Sequence, residues 1–330
     1  MYFSFIIPVY NRPDEVDELL ESLSKQTYKQ DFEVVIVEDG SKEDSRAIVS
    51  KYEDRLQVSY YYKSNSGPGA SRNYGMERAK GDYFIILDSD CIIPPDYLTI
   101  VDQYLTKEYV DCFGGPDAAL ASFSDVQKAI NYAMTSVLTT GGIRGASERI
   151  GKFQPRSFNM GLSKKAFLAS GGYGKVHPGE DPDLTIRLWN LGYDTQLFSK
   201  AYVYHKRRID WSKFRTQVNK FGKARPILNQ RYPETAKLTY WFPTVFMAGL
   251  LCSVLLTYYT FGFILCYLLY FLLVFIGCFI KERNFKISLL AVVAIFIQFY
   301  GYGTGFLKSN YILFVKKQKA EEGMPEMFFK

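Results

Sequence analysis

Tyr83-Phe84-Ile85-Ile86-Leu87-Asp88-Ser89-Asp90 runs five apolar residues straight into two acids separated by a serine. The apolar part has the length of one strand, and the acids sit where that strand must end. Working outward, three more runs of strand length precede it: Phe3 to Val9, Phe32 to Val37 and Val58 to Tyr62. Polar, helix-compatible segments separate them at Pro13 to Gln26, Ser45 to Lys51 and Pro68 to Ala79. Strands that alternate with helices in this rhythm predict an α/β fold with a parallel sheet and crossover helices. The first strand begins within three residues of Met1, with neither the charged start nor the small-residue site of a signal peptide, so the amino terminus is expected to belong to the fold.

In an open sheet of this kind ligands bind beyond the carboxyl ends of the strands. The residues there are Pro8-Val9-Tyr10-Asn11-Arg12, Glu38-Asp39-Gly40-Ser41, Asn65-Ser66-Gly67 and Asp88-Ser89-Asp90. Four polar turns are thus expected on one edge. Asp88 and Asp90 flank Ser89 so that both carboxylates can reach a divalent cation and the ribose or diphosphate it accompanies. Asp-x-Asp alone is common in surface turns; with Asp39, Asn65 and Arg72 at other strand ends it becomes a constellation.

Further along, Asn159-Met160-Gly161 precedes a short helix at Lys164 to Ser170, and Gly179-Glu180-Asp181-Pro182-Asp183 opens another that Gly192 stops. A last strand near Ala201 to Tyr204 delivers His205, read as a metal ligand in preference to a polar strand-end residue. His177 falls in a loop beside the Glu180-Asp181 pair.

The rest of the chain has a different character. Leu238 to Ile280 is 43 residues without a charge, about twice what a helix needs to cross ~30 Å of hydrocarbon. That excludes a purely soluble protein, and 17% aromatic residues with 22% charged ones exclude a disordered chain. Tyr258 to Gly262 suits a reversal, making a hairpin of two spans. A third apolar segment, Ile287 to Leu307, would place Lys316, Lys317 and Lys319 outside if it crossed, so two and three spans both stay open. The net charge is +6, and residues 200–237 alone hold eleven Lys or Arg against two acids. Such a basic stretch ahead of an apolar run reads as the cytoplasmic flank of a membrane anchor. Within it Trp211, Phe214, Val218, Phe221 and Leu228 recur at helical steps with cations between, which suits an interfacial helix; no nucleic-acid-binding pattern accompanies the charge. The five cysteines are odd in number, three lie in the apolar run and none makes a CxxC pair, so no disulfide or zinc framework is expected.

Five motifs together resemble the inverting glycosyltransferases of family two. They are Phe5-Ile6-Ile7-Pro8-Val9-Tyr10-Asn11, Val35-Ile36-Val37-Glu38-Asp39-Gly40-Ser41, Asn65 through Gly75, Asp88-Ser89-Asp90, and Gly179-Glu180-Asp181. The resemblance covers about the first 210 residues and implies a GT-A fold that acts on a nucleotide-diphosphate sugar, a UDP-sugar being favoured. By the same resemblance Asp39 accepts from the nucleobase, and Pro8, Tyr10 and Asn11 line its pocket. Asn65, Gly67, Arg72, Asp88 and Ser89 lie along the rest of the donor. Asp90, with Asp88 and His205, holds a divalent cation, Mn2+ or Mg2+. Asp181 is the catalytic base with Glu180 beside it. The chemistry asks for these types, since a cation offsets charge on the departing diphosphate and a carboxylate takes the acceptor proton. Gln217-Val218-Asn219-Lys220-Phe221 departs from the Gln-x-x-Arg-Trp of processive synthases, losing the guanidinium fork and the indole donor, so single-sugar addition is expected.

The expected organisation is a GT-A domain over 1–210, a basic amphipathic juxtamembrane segment over 211–237, a membrane region over 238–315 and a polar tail over 316–330. The expected activity is transfer of one sugar, with inversion, to a lipid-linked or membrane-proximal acceptor by a multi-pass protein of the inner or plasma membrane whose catalytic body is cytosolic. Alternatives are transfer onto polyisoprenyl phosphate itself, a processive synthase and a non-catalytic nucleotide-binding scaffold.

Overall fold

The computed structural model describes residues 1–118, 123–140, 153–205 and 210–329. Gly141, Gly142, Lys206, Arg207 and Arg208, part of the irregular and basic stretches read from the sequence, lie outside the described residues. The chain divides into two compact units.

The first unit opens with β1 (Phe3–Val9), α1 (Pro13–Leu23), β2 (Phe32–Asp39), β3 (Gln57–Lys63), α2 (Pro68–Arg78) and β4 (Tyr83–Leu87). β1 and β4 have the bounds the hydrophobic runs predict. β2 runs two residues further, carrying Glu38 and Asp39 into the last sheet pairings. These four strands are parallel in the order β3-β2-β1-β4. Phe5, Ile7, Val34 and Ile36 face one apolar layer, and Ile6, Val35 and Val37 face the other. Burial on both faces explains why these strands read as continuous apolar runs; each such side chain contributes ~1.5–3 kcal/mol. α2 approaches the second face at Gly75, where an added Cβ would stand 2.9 Å from Ile6 Cγ2.

Beyond β4 come β5 (Cys91–Ile92), α3 (Tyr97–Lys107), β6 (Cys112–Gly114) and β7 (Asp117–Ala118). β8 (Asn159–Ser163), α5 (Lys164–Ser170), α6 (Glu180–Asn190), β9 (Thr195–Leu197) and β10 (Val203–His205) complete this unit, α4 being the helix Asp125–Thr135 of the other one. The large sheet continues past β4 as β8-β6-β9, with β8 antiparallel to both β4 and β6, so it is mixed where the sequence predicts only parallel strands. A small sheet β5-β10-β7 pairs His205 with Cys91. That pairing brings the strand-end histidine beside the Asp88-Ser89-Asp90 turn.

The second unit holds α4, α7 (Trp211–Arg231), α8 (Phe242–Leu255), α9 (Gly262–Glu282) and α10 (Phe285–Asn310). Three helical stretches, Leu238–Tyr258, Gly262–Glu282 and Phe285–Val315, are long and apolar enough to cross a membrane. α7 lies along α10, and the glycines of α10 make that possible. A Cβ on Gly301 would come 2.5 Å from Val218 Cγ2, and one on Gly305 would come 2.2 Å from the Asn219 carbonyl oxygen. Asn219 Nδ2 donates to the Gly301 carbonyl at 3.0 Å across the same seam. All five cysteines are free thiols.

Candidate active site

The ends of β1, β2 and β3 are bound into one rim. Asn11, in the left-handed region at φ 53°, accepts the Lys42 amide at 2.8 Å, and its own amide donates to Ser41 Oγ at 2.7 Å. Glu38, fully buried, accepts from Ser41 Oγ, from the Ser45 amide at 2.9 Å and from the Tyr60 hydroxyl at 3.3 Å. It braces the turn from within. Asp39 is 3% exposed and accepts from the Ser66 and Gly67 amides, both at 2.9 Å, while pairing with Lys63 Nζ. Lys63 stands opposite Asp39 in the parallel register. Asn65 Nδ2 donates to the Asp39 carbonyl at 2.8 Å, so four of the sequence-selected residues meet on this rim. Pro8, one residue before the end of β1, is half-buried, and Tyr10 is 52% exposed just past that end.

Arg72 ties the rim to the later helix. Its guanidinium, 3% exposed at the residue level, donates to Asp88 Oδ1 at 2.7 Å and to Glu180 Oε1 at 3.4 Å, and lies 5.2 Å from the Tyr173 ring centroid. Glu180 accepts from the Gly179 amide at 2.9 Å and bonds His177 Nδ1 at 2.8 Å. Burial pushes the Glu180 carboxyl up, but the His177 hydrogen bond and the His177 and Arg72 charges outweigh it and hold it at about 2.

Asp181, the next residue, has the opposite electrostatics. Burial raises its carboxyl above the ordinary aspartate range and the adjacent Glu180 charge raises it further; Arg72, Arg156 and the Ser157 amide act the other way. Oδ2 accepts the Ser157 amide at 3.1 Å, while Oδ1 is buried with no hydrogen-bond partner among the described residues. A buried carboxylate oxygen with an open lone pair and a raised proton affinity is equipped to take a proton from a hydroxyl brought to it.

Asp90 and His205 meet through the small sheet, Oδ1 to Nε2 at 3.1 Å, with Cys91 completing a cluster whose ligand atoms lie within 4.8 Å of one another. Two ligands of one small cation, each at ~2.1 Å and at right angles, stand ~3 Å apart. The carboxylate–imidazole spacing therefore fits a shared divalent ion. Phe158 stacks on the His205 ring at 4.8 Å and fixes its plane, and Cys91 Sγ is directed to the Phe158 carbonyl at 3.3 Å. Burial pushes the Cys91 thiol well up and the charges of Asp90 and Asp88 add to it, so the Asp–His pair is the better ligand set. Ser89 Oγ donates to Glu15 Oε2 at 3.1 Å.

Three participants escape sequence reasoning. Lys63 and Glu15 sit at ordinary surface-like positions, and only strand register and helix placement bring them to the rim. Phe329 comes from the far end of the chain and belongs to the first unit. Its ring lies on Gly67, where a Cβ would be 2.2 Å from Phe329 Cδ2, and its centroid is 5.3 Å from that of His177. No local pattern in the tail signals this.

Residues 4–167 match the family model described as glycosyl transferase family 2. Poly(ribitol-phosphate) beta-N-acetylglucosaminyltransferase TarS of Staphylococcus aureus is 37% identical over 114 residues, 34% of this chain and 20% of that protein. Poly(ribitol-phosphate) beta-glucosyltransferase of Bacillus spizizenii is 38% identical over 102 residues, 30% of this chain and 16% of that one. The match thus spans a fifth or less of the length of these two relatives. Among solved structures, the mannosyltransferase PcManGT from Pyrobaculum calidifontis, described in complex with GDP-Man and Mn2+, covers 89% of this chain and 86% of its own at a TM-score of 0.62. At 14% identity that likeness establishes the GT-A fold alone.

Proposed function

We propose, from the premise that residues 4–167 form a glycosyltransferase family 2 domain, that this protein transfers a single sugar from a nucleotide-diphosphate sugar to a lipid-linked or membrane-proximal acceptor with inversion at the anomeric carbon. The observation that carries the reading is Asp181 Oδ1, buried without a partner on the helix that Arg72 links to Asp88. In this reading Asp181 takes the acceptor hydroxyl proton as the oxygen attacks, and the bond to the diphosphate breaks on the opposite face. One base, with Glu180 wholly engaged by His177, Arg72 and the Gly179 amide, leaves no second carboxylate at the pair to act as a nucleophile, which supports direct displacement. Both relatives are named as β-transferases, and a β product is what inversion yields from an α-linked donor.

The rim of Pro8, Tyr10, Asn11, Asp39, Asn65 and Gly67 receives the nucleoside, with a UDP-sugar favoured. In this reading Arg72, Asp88 and Ser89 lie along the rest of the donor, with Arg72 hydrogen-bonded to Asp88 and Ser89 to Glu15. Asp90 and His205, with Asp88, would hold a divalent cation, Mn2+ or Mg2+, which when bound offsets the charge developing on the leaving diphosphate. The apolar helices anchor the protein as a multi-pass protein of the inner or plasma membrane with the catalytic unit cytosolic, and anchoring raises the encounter frequency with a lipid-borne acceptor.

The full chain in nanodiscs, incubated with a panel of nucleotide sugars, Mn2+ and a membrane lipid extract, tests this. Wild type is expected to transfer sugar to a lipid-extractable product, and Asp181→Asn to bind donor normally while losing ~10²–10⁴ in rate. Neither transfer nor donor hydrolysis with any sugar would sink the proposal.

A further inference from the structure

Early in α7, Lys213 pairs with Asp210 at 3.3 Å and Arg215 lies 5.2 Å from the Tyr300 ring centroid. Lys223 bonds Glu326 at 2.8 Å and Arg231 reaches Glu321 at 3.6 Å, so each has an acid from the chain's last segment. Arg225 lies between them in sequence and has no acid in an ion pair among the described residues. Its Nη1 is buried and lacks any hydrogen-bond acceptor there, and its Cζ stands 4.4 Å from the Tyr240 ring centroid.

Pro226, inside α7, has no N–H for the Gly222 carbonyl one turn back. Gly222 itself touches α10, where a Cβ would be 2.1 Å from the Tyr302 carbonyl oxygen. Asn229 follows Arg225 by one helical turn on the same face, and its Oδ1 too is buried and unpartnered. A fixed cation with a buried, unused N–H asks for a ligand that offers anionic oxygens.

The surroundings identify what carries that anion. Tyr240 and Trp241 precede α8, the first apolar helix, where aromatic residues mark the headgroup level of a bilayer. Leu238, Trp241, Phe242 and Val245 are 87%, 39%, 49% and 63% exposed, and their spacing makes them one helical stripe. A free phosphate has no use for such a stripe; an alkyl or isoprenoid chain does.

We infer that Arg225, flanked by Tyr240 and Asn229, binds the phosphate of a lipid whose hydrocarbon tail lies along the Leu238–Val245 stripe. This rests on the reading of a lipid-linked acceptor and gives that acceptor's phosphate or diphosphate a receiving side chain. Arg is suited because its planar fork grips two phosphate oxygens while its flat face stays on an aromatic ring, which an ammonium does less well.

The test uses the full chain in phosphatidylcholine nanodiscs, titrated calorimetrically with farnesyl phosphate, farnesol and inorganic phosphate against empty discs. Farnesyl phosphate is expected to bind saturably, farnesol and inorganic phosphate at least tenfold more weakly. Arg225→Gln is expected to weaken farnesyl phosphate at least tenfold, Arg225→Lys to restore part of the loss, and Arg231→Gln to leave it unchanged. Repeating the titration in phosphatidylglycerol discs separates the acceptor-type lipid from bulk anionic lipid, and persistence of the binding there supports the former. Equal binding by wild type and a folded Arg225→Gln protein overturns the inference, as does inorganic phosphate binding as tightly as farnesyl phosphate. If Arg225→Gln fails to fold, the wild-type ligand comparison and Arg225→Lys decide. Donor hydrolysis measured on the same samples separates the two ideas: its loss in wild type speaks against the transferase reading, whereas intact hydrolysis without farnesyl phosphate binding speaks against this site alone.

Discussion

Replacing Arg72 by methionine keeps the length and apolar stem of the side chain and removes its charge. The guanidinium is almost wholly buried, donates at 2.7 Å to Asp88 and 3.4 Å to Glu180, and lies over the Tyr173 ring. Removing one member of a buried ion pair costs ~3–5 kcal/mol, because the remaining carboxylate keeps its desolvation without its partner. The lower end applies here. Asp88 retains 33% side-chain exposure and can rehydrate, and Glu180 keeps His177 and the Gly179 amide. A loss of ~3 kcal/mol in a unit of this size corresponds to a fall of ~6–12 °C in Tm. Thermal unfolding followed by circular dichroism at pH 7.5 reads the change directly, and Asp88→Asn singly and combined with Arg72→Met completes a double-mutant cycle. Contact between the two should appear as non-additivity of at least ~0.5 kcal/mol. A Tm within ~2 °C of wild type, or additivity to within ~0.3 kcal/mol, would mean that the guanidinium does not hold the two acids together as described.

Two further outcomes follow from the same cluster. Asp181 must be ionised to act, and its carboxyl is raised, so the acid limb of the kcat–pH profile should lie above the ordinary aspartate value of 3.8; Arg156→Gln should move it up and Glu180→Gln down. The sign is opposite for Glu180, whose depressed carboxyl contributes stability above its ordinary value of 4.5 that is lost as pH falls towards about 2. For the metal pair, His205→Ala and Asp90→Ala should each weaken Mn2+ at least ~10-fold by electron paramagnetic resonance titration, as loss of one ligand from a small set implies, and unchanged affinity in both would remove this pair as the site.

Where burial on two faces and a sharp polar end coincide, the sequence is legible. β1 and β4 have their bounds written as apolar runs, and Asp88 and Asn11 are found by looking just past them. The antiparallel part of the sheet is not legible, because β8 consists of Asn159-Met160-Gly161-Leu162-Ser163 and lacks an apolar run. Gly161 is there for the Phe113 ring, which a Cβ would meet at 1.9 Å, a demand that only the paired strand reveals. The candidate site divides in the same way. Acids at strand ends are visible in one dimension, and so is the Gly179-Glu180-Asp181 helix start. What separates Glu180 from Asp181 is not visible. The two adjacent carboxylates differ because one turns to His177 and Arg72 and the other to a single amide, and those partners come from other elements. Lys63 opposite Asp39 and Phe329 on Gly67 belong to this second kind of information, set by register and by tertiary return of the chain.

The ring of Phe329 has a practical corollary for handling the protein. A purification handle or fluorescent partner fused after residue 330 would begin two residues beyond Phe329, whose ring rests on Gly67 and beside the imidazole that bonds Glu180. Labels are better carried at the opposite terminus, where Met1 is 46% exposed.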